Sequence, residues 1–529
     1  MLFSFNDQLS KNLIPYDFDF NLALFDNDFK VISPELFLVL STISLLVYGV
    51  IGSTSQKKNY PILVSNLAWL AQQAIFFTII LISNNPLTHG VIFYNSLVVD
   101  DFTLFFKIVV LCGAFFSILI SLDYIKKEGL NLFEFIILIM LSTCSMLFLI
   151  SSLDFISMYL AIEFQSLCFY VMAALKRNSE FSTEAGLKYF LLGAFSSGIL
   201  LFGCSLIYGF TGVTNFSELG KIFTYFGEPG LRGCELGMIF ILVGFLFKLT
   251  AVPFHMWAPD VYEGAPTSVT AFFSIAPKVS VLAVFVKLFF SGFYDFMIPW
   301  QTVCILSSLA SMIWGSLAAM SQNKIKRLLA FSSIGHIGYM LIGICCGTVE
   351  GLQALFIYLV IYIVITVNLF AIVLTPLTRD FTHSLQRVKY TTDFAQLGKT
   401  NTILAITLTV TMFSIAGIPP LAGFYSKAYL FFAAMSSSQY LLALVGVITS
   451  VISCFYYIRI VKIMYFEAST SASYAEQKHR IGQKERRFSH ISKSTSIPLG
   501  ITFFIILFFM IYPSPLYLAC HKAALAICL

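Results

Sequence analysis

Two lysines lie inside apolar segments that are long enough to cross a lipid bilayer, each beside helix-breaking residues. Lys248 lies in the run Gly237–Pro253, and Lys427 lies in the run Thr402–Met435 after a Gly-Ile-Pro-Pro sequence. A lysine at mid-membrane costs about 2.5–3.5 kcal/mol on insertion scales, so it is kept where a partner or a water path supports it. Two interrupted apolar segments in the two halves of a chain are typical of a transport site. The two lysines therefore predict proton or ion transfer inside the membrane.

A single carboxylate, Glu163, lies in the apolar segment Met158–Cys168. We interpret it as the partner of Lys248. Burial favours a neutral amine and a nearby carboxylate favours an ammonium, so a change in their separation would load or release a proton. Two other interpretations stay open. In the first, Glu163 is half of a structural ion pair between two helices. In the second, Lys248 reaches the membrane surface with its long side chain.

Further titratable side chains extend this series. Lys278 lies near the middle of the next apolar segment, and we predict a relay role for it. His336 titrates near neutral pH and would suit a relay between Lys278 and Lys427, although a buried histidine is often only hydrogen-bonded. Lys188 lies about one turn into the sixth apolar segment, where it would either relay protons or reach the basic interface. Lys287, nearer a segment end, is predicted to extend to the interface.

The composition predicts an all-α polytopic membrane protein. Of 529 residues, 58% are hydrophobic and 11% are charged, whereas soluble domains carry about 25% charged residues. The apolar runs are continuous, which excludes the alternating strands of a β-barrel. The excess of basic residues lies in short loops and does not indicate nucleic-acid binding. The cysteines are scattered without a Cys-x-x-Cys pair, and no metal-ligand spacing or phosphate-binding glycine motif is present, so no metal or cofactor site is expected in this chain.

The apolar segments predict about 14 transmembrane helices. The predicted spans are 35–53, 62–83, 101–122, 132–150, 154–175, 185–210, 235–256, 267–291, 299–320, 326–346, 351–376, 402–435, 438–465 and 495–518. Spans 7 and 12, which contain Lys248 and Lys427, should be discontinuous. Because they run in opposite directions, we predict two inverted five-helix repeats, spans 4–8 and 9–13.

These spans divide the chain into six parts. They are an N-terminal extension (1–32), N-terminal transmembrane helices (33–150), a first repeat core (151–292), a second repeat (293–466), a basic loop on the matrix side (467–494) and a C-terminal transmembrane helix (495–529). The basic loop residues follow the odd-numbered spans almost exclusively. By the positive-inside rule those loops face the cytoplasm or matrix, and both termini lie on the opposite side. The first residues match neither a secretory signal nor a transit peptide.

Several motifs carry a resemblance to a known family. They are Leu160–Tyr170, Glu180–Tyr189, Phe247–Asp260, Lys324–His336 and Ala416–Phe424. These segments resemble the antiporter-like subunits of respiratory NADH:ubiquinone oxidoreductase (complex I), most closely the mitochondrially encoded plant and algal type. The resemblance covers the chain from about residue 33 to its C-terminus, apart from the loop 467–494.

The resemblance implies a function. Glu163, Lys248, Lys278 and Lys427 match the family's motif residues and would translocate protons while quinone is reduced elsewhere in the complex. NADH, FMN, iron–sulfur clusters and ubiquinone would bind other subunits. The chain would lie in the mitochondrial inner membrane, with both termini in the intermembrane space, among neighbouring antiporter-like subunits of the membrane arm. Two alternatives remain: a subunit of a multisubunit cation/proton antiporter without redox input, and an inert structural scaffold of the membrane arm.

Overall fold

The chain is a bundle of long apolar α-helices, as the composition predicted. The computed structural model describes residues 28–53, 61–85, 90–128, 133–225, 232–375, 377–378, 385–386, 388–467, 487–488 and 491–528. The predicted N-terminal extension and basic loop therefore lie mostly outside the described residues.

The helices of the first half, in chain order, are α1 (Ser33–Ser53), α2 (Pro61–Ser83), α3 (Asp101–Lys127), α4 (Glu134–Ser151), α5 (Phe155–Ala173), α6 (Glu180–Thr211), α7 (Phe216–Tyr225), α8 (Arg232–Leu249), α9 (Trp257–Gly264), α10 (Thr267–Ile275) and α11 (Pro277–Lys287). A π-helical turn, Leu288–Gly292, and a 3₁₀ turn, Tyr294–Phe296, follow α11.

The helices of the second half are α12 (Met297–Met320), α13 (Ile325–Cys345), α14 (Val349–Val373), α15 (Leu397–Thr400), α16 (Thr402–Ala416), α17 (Ala422–Ser436), α18 (Tyr440–Phe466), α19 (Lys493–Phe508) and α20 (Ser514–Cys528). Short strands lie outside the bundle: β1 (Gly90–Ile92), β2 (Leu97–Val99), β3 (Leu377–Thr378), β4 (Leu385–Gln386) and β5 (Arg487–Phe488). Strands β1 and β2 pair antiparallel with Val91 opposite Val98, and β3 lies between β4 and β5, antiparallel to both.

Within the described residues, eleven helices are long and apolar enough to cross a membrane. They coincide with predicted spans 1–6, 8–11 and 13, so the polytopic all-α class is confirmed, while the total of fourteen stays a prediction. The segment 495–529, predicted to be a single C-terminal transmembrane helix, instead contains two helices, α19 and α20, with a break between them. Pro513 and Pro515 lie at that break, and proline lacks the N–H that would continue the helix.

The predicted interruption of span 7 is confirmed. Helix α8 ends at Leu249, and Thr250 adopts a left-handed conformation with φ of 67°. Pro253 follows, and α9 begins only at Trp257. The turn exposes the last carbonyl groups of α8, and the Phe247 carbonyl accepts a hydrogen bond from the Trp257 indole at 3.1 Å.

The predicted interruption of span 12 is confirmed as well. Helix α16 ends at Ala416, and Gly417 closes it with φ of +90°, a conformation that glycine adopts without strain. The Ile418 N–H reaches back to the Phe413 carbonyl at 3.0 Å, as in the common glycine-terminated helix ending. Two prolines then prevent the helix from resuming before α17.

Each predicted five-helix repeat has its broken helix in the fourth position. The first group is α4, α5, α6, the broken pair α8/α9 and α10/α11, and the second is α12, α13, α14, the broken pair α16/α17 and α18. This order supports the repeat, and its inverted orientation stays a prediction. The most apolar parts of Thr267–Gly292 and Ile325–Cys345 are completely buried within the chain, whereas Lys326 and Arg327 at the start of the second are half-buried. The helices that carry Lys278 and His336 therefore lie at the centre of the bundle.

The close packing of α12 on α13 gives a test of this arrangement. A Cβ atom on Gly315 would lie 2.6 Å from the Gly335 nitrogen and 3.0 Å from the Phe331 carbonyl oxygen. Gly315→Ala should therefore destabilise the chain by about 1–3 kcal/mol, since backbone atoms cannot move aside cheaply. Gly335→Ala is the matched control, because its Cβ would meet nothing within 4 Å. The measurement is the thermal midpoint of the purified protein in detergent, and equal midpoints for the two variants would contradict the prediction.

Candidate functional site

Glu163 and Lys248 lie near each other but form no direct ion pair. Lys248 lies in the last turn of α8, and its buried Nζ has no hydrogen-bond partner in the part of the chain that the structure describes. The Oε1 atom of Glu163 on α5 is also buried and unpaired, while its Oε2 accepts a hydrogen bond from Ser166 Oγ at 3.3 Å. Glu163 is the charged group whose electrostatic attraction reaches Lys248. A buried ammonium without a hydrogen-bond partner and a buried carboxylate oxygen without one are groups that water would connect.

Lys248 and Lys278 line one small cavity. Its walls also include Gln165, Thr250 and Tyr262, and its volume is about 30 Å³. A water molecule needs roughly 10–15 Å³ of such space, so the cavity accommodates about two water molecules. The Gln165 Oε1 and Thr250 Oγ1 atoms have no hydrogen-bond partner among the described residues, so they provide further polar groups for that water.

Lys278 connects this cavity to a second one. Its side chain on α11 is buried, and Nζ lies 3.4 Å from the Tyr362 hydroxyl and 5.5 Å from the centre of the Tyr362 ring. Tyr362 lines the second cavity, of about 40 Å³, together with His336 and Lys427. Tyr262 lies in the walls of both cavities. The two spaces therefore share one aromatic side chain that carries a hydroxyl group, and Lys278 contacts a second one, Tyr362.

His336, on α13, is held between two tyrosines. Its Nδ1 lies 2.7 Å from the Tyr358 hydroxyl, and its Nε2 lies 3.4 Å from the Tyr457 hydroxyl. A hydroxyl group either donates or accepts a hydrogen bond, so both neutral tautomers of His336 are satisfied. The histidine can consequently exchange which nitrogen carries the proton without losing its partners.

Lys427, on α17, is docked on the break in span 12. Its buried Nζ donates hydrogen bonds to the Ile415 carbonyl at 2.9 Å and the Ala416 carbonyl at 3.2 Å. These carbonyls end α16, where no further helical N–H is available to them. Nζ also lies 5.1 Å from the centre of the Tyr339 ring. A neutral amine has two N–H groups, so both bonds persist in the protonated and the neutral states.

The structure thus brings together five of the six predicted site residues. We call Glu163, Lys248, Lys278, His336 and Lys427 the buried row. Lys188 lies apart from it, on a partly exposed surface where it pairs with Glu184 at 2.7 Å and Asp260 at 3.0 Å. Of the two roles that the sequence left open for Lys188, its position matches the interface role.

The aromatic residues between the charged ones were not predicted from the sequence. Tyr358 and Tyr362 are four residues apart on one face of α14 and line the same cavity, a spacing that was a usable signal. The prediction that Lys287 reaches the interface is wrong. It is buried and donates to the Ile150 carbonyl at 2.8 Å and the Ser152 carbonyl at 3.2 Å, so it caps the end of α4.

The fold and the buried row define the protein as a polytopic α-helical membrane protein of the antiporter-like class. The part of the chain that the structure describes contains no group of three side chains able to hold a metal ion. The chain belongs to the family described as NADH:quinone oxidoreductase/Mrp antiporter, TM, whose model matches residues 152–453.

Proteins of similar sequence are consistent with this family assignment. The chain is 58% identical over 512 residues to NADH-ubiquinone oxidoreductase chain 2 of Marchantia polymorpha, covering 96% of this chain and 100% of the relative. It is 51% identical to the protein of the same name from Arabidopsis thaliana, covering 97% and 98% of the two chains.

Solved structures share the fold. A chain in the structure of respiratory complex I from Thermus thermophilus with bound aureothin superposes with a TM-score of 0.72 at 25% identity, covering 92% of this chain and 98% of that chain. A chain of the Mrp complex from Dietzia sp. gives a TM-score of 0.76 at 20% identity, covering 94% and 97%. Because its identity is only 20%, the match to the Mrp chain is evidence for a shared fold alone.

Proposed function

We propose that this chain is a proton-translocating membrane-arm subunit of NADH:ubiquinone oxidoreductase, located in the mitochondrial inner membrane. The identity to chain 2 proteins over nearly the whole length supports the assignment to that complex. The chain would couple electron transfer from NADH to ubiquinone, performed by other subunits, to proton movement through its own helices. Its partners would be the neighbouring antiporter-like subunits and the lipid bilayer.

The buried row is the observation that carries the proposal. Its members lie on α5, α8, α11, α13 and α17. Its three lysines and His336 line two cavities that share Tyr262 in their walls, and Glu163 attracts Lys248 electrostatically. Buried ionisable groups are costly in a membrane and mark ion paths and proton relays. A purely structural lysine would be expected to have a hydrogen-bond partner, and the Lys248 ammonium has none among the described residues.

The geometry suggests an order of transfer. A proton at Lys248 would pass through cavity water to Lys278, and from there past the Tyr362 hydroxyl to His336 and on to Lys427. Glu163 would hold the proton at Lys248 when it is close and release it when it moves away, because a nearby carboxylate favours the charged amine. Each lysine would be neutral before it receives a proton, charged while it holds it, and neutral again after passing it on. One proton would therefore leave the row for each one that enters.

The orientation follows the charge bias. The loops rich in lysine and arginine would face the matrix, and both termini would lie on the intermembrane-space side. Lys188 would act near the matrix surface, outside the buried row. We assign no redox group to this chain. NADH, FMN, iron–sulfur clusters and ubiquinone would bind to other subunits, in agreement with the lack of Cys-x-x-Cys pairs and of phosphate-binding glycine motifs.

The decisive experiment replaces Lys248 by methionine in the assembled complex and measures protons pumped per NADH in liposomes. Methionine keeps the length and apolar character of the stem but cannot carry a proton, so pumping should fall. Lys462→Met is the matched control, because Lys462 is exposed on α18 and lies outside the row. Unchanged pumping by an intact Lys248→Met complex would favour the alternative of an inert scaffold.

A subunit of a cation/proton antiporter is the other alternative, since the Mrp complex shares the fold. Purification through a tag on this chain separates the two. Co-purification of flavin- and iron–sulfur-containing subunits is expected for the proposed complex. A preparation that lacks them and exchanges cations for protons would contradict it.

A further inference from the structure

A third cavity, of about 270 Å³, lies at the surface that carries the basic loops. We call this surface the basic face. Four lysines line the cavity: Lys176, Lys324, Lys326 and Lys389. Among the described residues of its wall, Glu263 is the one acidic side chain. From the charges and from the helix end described below, we propose that this cavity binds a phosphate group, belonging either to an anionic phospholipid headgroup or to free phosphate.

The lysines of this cavity outnumber the acidic groups available to them. Glu263 is already contacted by Lys324 and by Arg327, the latter at 3.5 Å. The Lys326 ammonium instead donates to a neutral acceptor, the Ala265 carbonyl, at 2.7 Å. Lys176 has a carboxylate only at 3.7 Å, in Glu128.

Like charges make this arrangement costly without an additional anion. Among the described residues, Lys176 and Lys389 repel the Lys326 ammonium, and Glu263 attracts it. Charges of one sign at a partly buried site interact more strongly than in water, because the local dielectric constant is lower. An anion in the cavity would remove this repulsion.

A helix start points its donors into the same space. Helix α10 begins at Thr267 after Pro266, and both residues line the cavity. The first N–H groups of a helix have no partner within it, and the helix dipole favours negative charge there. The Thr267 hydroxyl provides an independent observation, because Thr267 is 2% exposed and its Oγ1 has no hydrogen-bond partner among the residues that the structure describes.

Ammonium groups, free N–H groups and a hydroxyl together match the several acceptor oxygens of one phosphate. The cavity also joins the helices of the buried row. Lys176 follows α5, which carries Glu163, while Thr267 begins the segment that leads to Lys278. Lys326 lies in the first turn of α13, the helix of His336. A bound phosphate would therefore hold the ends of α5, α10 and α13 at a common point, and α10 leads directly into the helix of Lys278.

The test is a lysine footprint on the purified complex in detergent, after removal of bound lipid. The complex is treated with an amine-acetylating reagent, and the labelling of Lys326 and Lys389 is measured by mass spectrometry. Dihexanoylphosphatidylglycerol is the anionic probe, dihexanoylphosphatidylcholine is the neutral control lipid, and inorganic phosphate is tested separately. At about ten times its Kd, the anionic probe should leave about a tenth of sites free and lower the labelling about tenfold. Lys126, exposed at the end of α3 and outside the cavity, should be labelled equally throughout.

Comparison of the three probes distinguishes the source of the phosphate. Protection by phosphatidylglycerol alone supports a lipid headgroup, and protection by inorganic phosphate as well supports a site for the free anion. Equal protection by phosphatidylcholine, or protection by none of the probes, overturns the proposal.

Thr267→Val tests the site without removing a charge. Valine has nearly the shape of threonine but no hydroxyl, so about tenfold more probe should be required for the same protection, as for the loss of one hydrogen bond to a charged group. Lys126→Gln, on the same face, should leave the required concentration unchanged. Protection of Thr267→Val at the wild-type concentration would also overturn the proposal. None of these outcomes depends on proton pumping, so the proposed function stands or falls separately.

Discussion

Lys278→Arg should block proton transfer through this chain almost as fully as Lys278→Met does. Arginine keeps the positive charge and can still donate to the Tyr362 hydroxyl, but it does not release its proton at any pH a protein tolerates. Loss of a positioned acid–base group slows a proton-transfer step by about 10²-fold or more. The measurement is the number of protons pumped per NADH by the assembled complex in liposomes, together with its rate of NADH oxidation.

This prediction separates a relay from a structural cation. If Lys278 only supplied positive charge to its surroundings, arginine would restore the pumping that methionine removes. Wild-type pumping by Lys278→Arg would therefore exclude Lys278 from the relay. Because the side chain is buried at the centre of the bundle, assembly of each variant is checked by native electrophoresis before its pumping is compared.

Glu163→Gln should lower proton pumping strongly while preserving assembly. Glutamine keeps the shape of the side chain and can still accept the hydrogen bond that Ser166 donates to Glu163. It removes the negative charge that attracts Lys248 across the gap between α5 and α8. An unsupported lysine at mid-membrane is disfavoured by about 2.5–3.5 kcal/mol, so Lys248 should stay neutral in the variant and stop accepting protons.

Glu184→Gln is the matched control for this change. Glu184 also pairs with a lysine, Lys188, but both side chains are exposed to solvent by about half. Exposed ion pairs are worth about 0–1 kcal/mol, so their loss should affect pumping little. A Glu163→Gln complex that pumps as well as Glu184→Gln would show that the carboxylate does not control Lys248.

Much of the architecture was predictable because a bilayer imposes simple rules on a sequence. A span must be apolar over about 20 residues, so α1 to α6 were located within a few residues. Gly417 and the prolines after it predicted the break in span 12, since glycine accepts a left-handed conformation and proline cannot continue a helix. The charges of the buried row stood out for the same reason, because a lysine such as Lys248 is costly in lipid.

Lys287 and the C-terminal segment show where these rules stop working. Lys287 looked like a side chain long enough to reach the interface, but the end of α4 lies beside it and offers two free carbonyl groups. No pattern within its own helix reveals that neighbour. The division between α19 and α20 was missed because apolar residues continue on both sides of Pro513, so hydropathy alone did not mark the break.

By itself, the sequence determined that this protein is a multi-helix membrane protein with titratable groups at mid-span. Both properties follow from the local cost of placing each residue in lipid. Only the tertiary structure decided that Lys278 and His336 meet through Tyr362, that Lys427 rests on the end of α16, and that Lys188 lies apart from them. Contacts between residues distant in the chain depend on how helices pack and rotate against each other, and that packing is set by the whole bundle together.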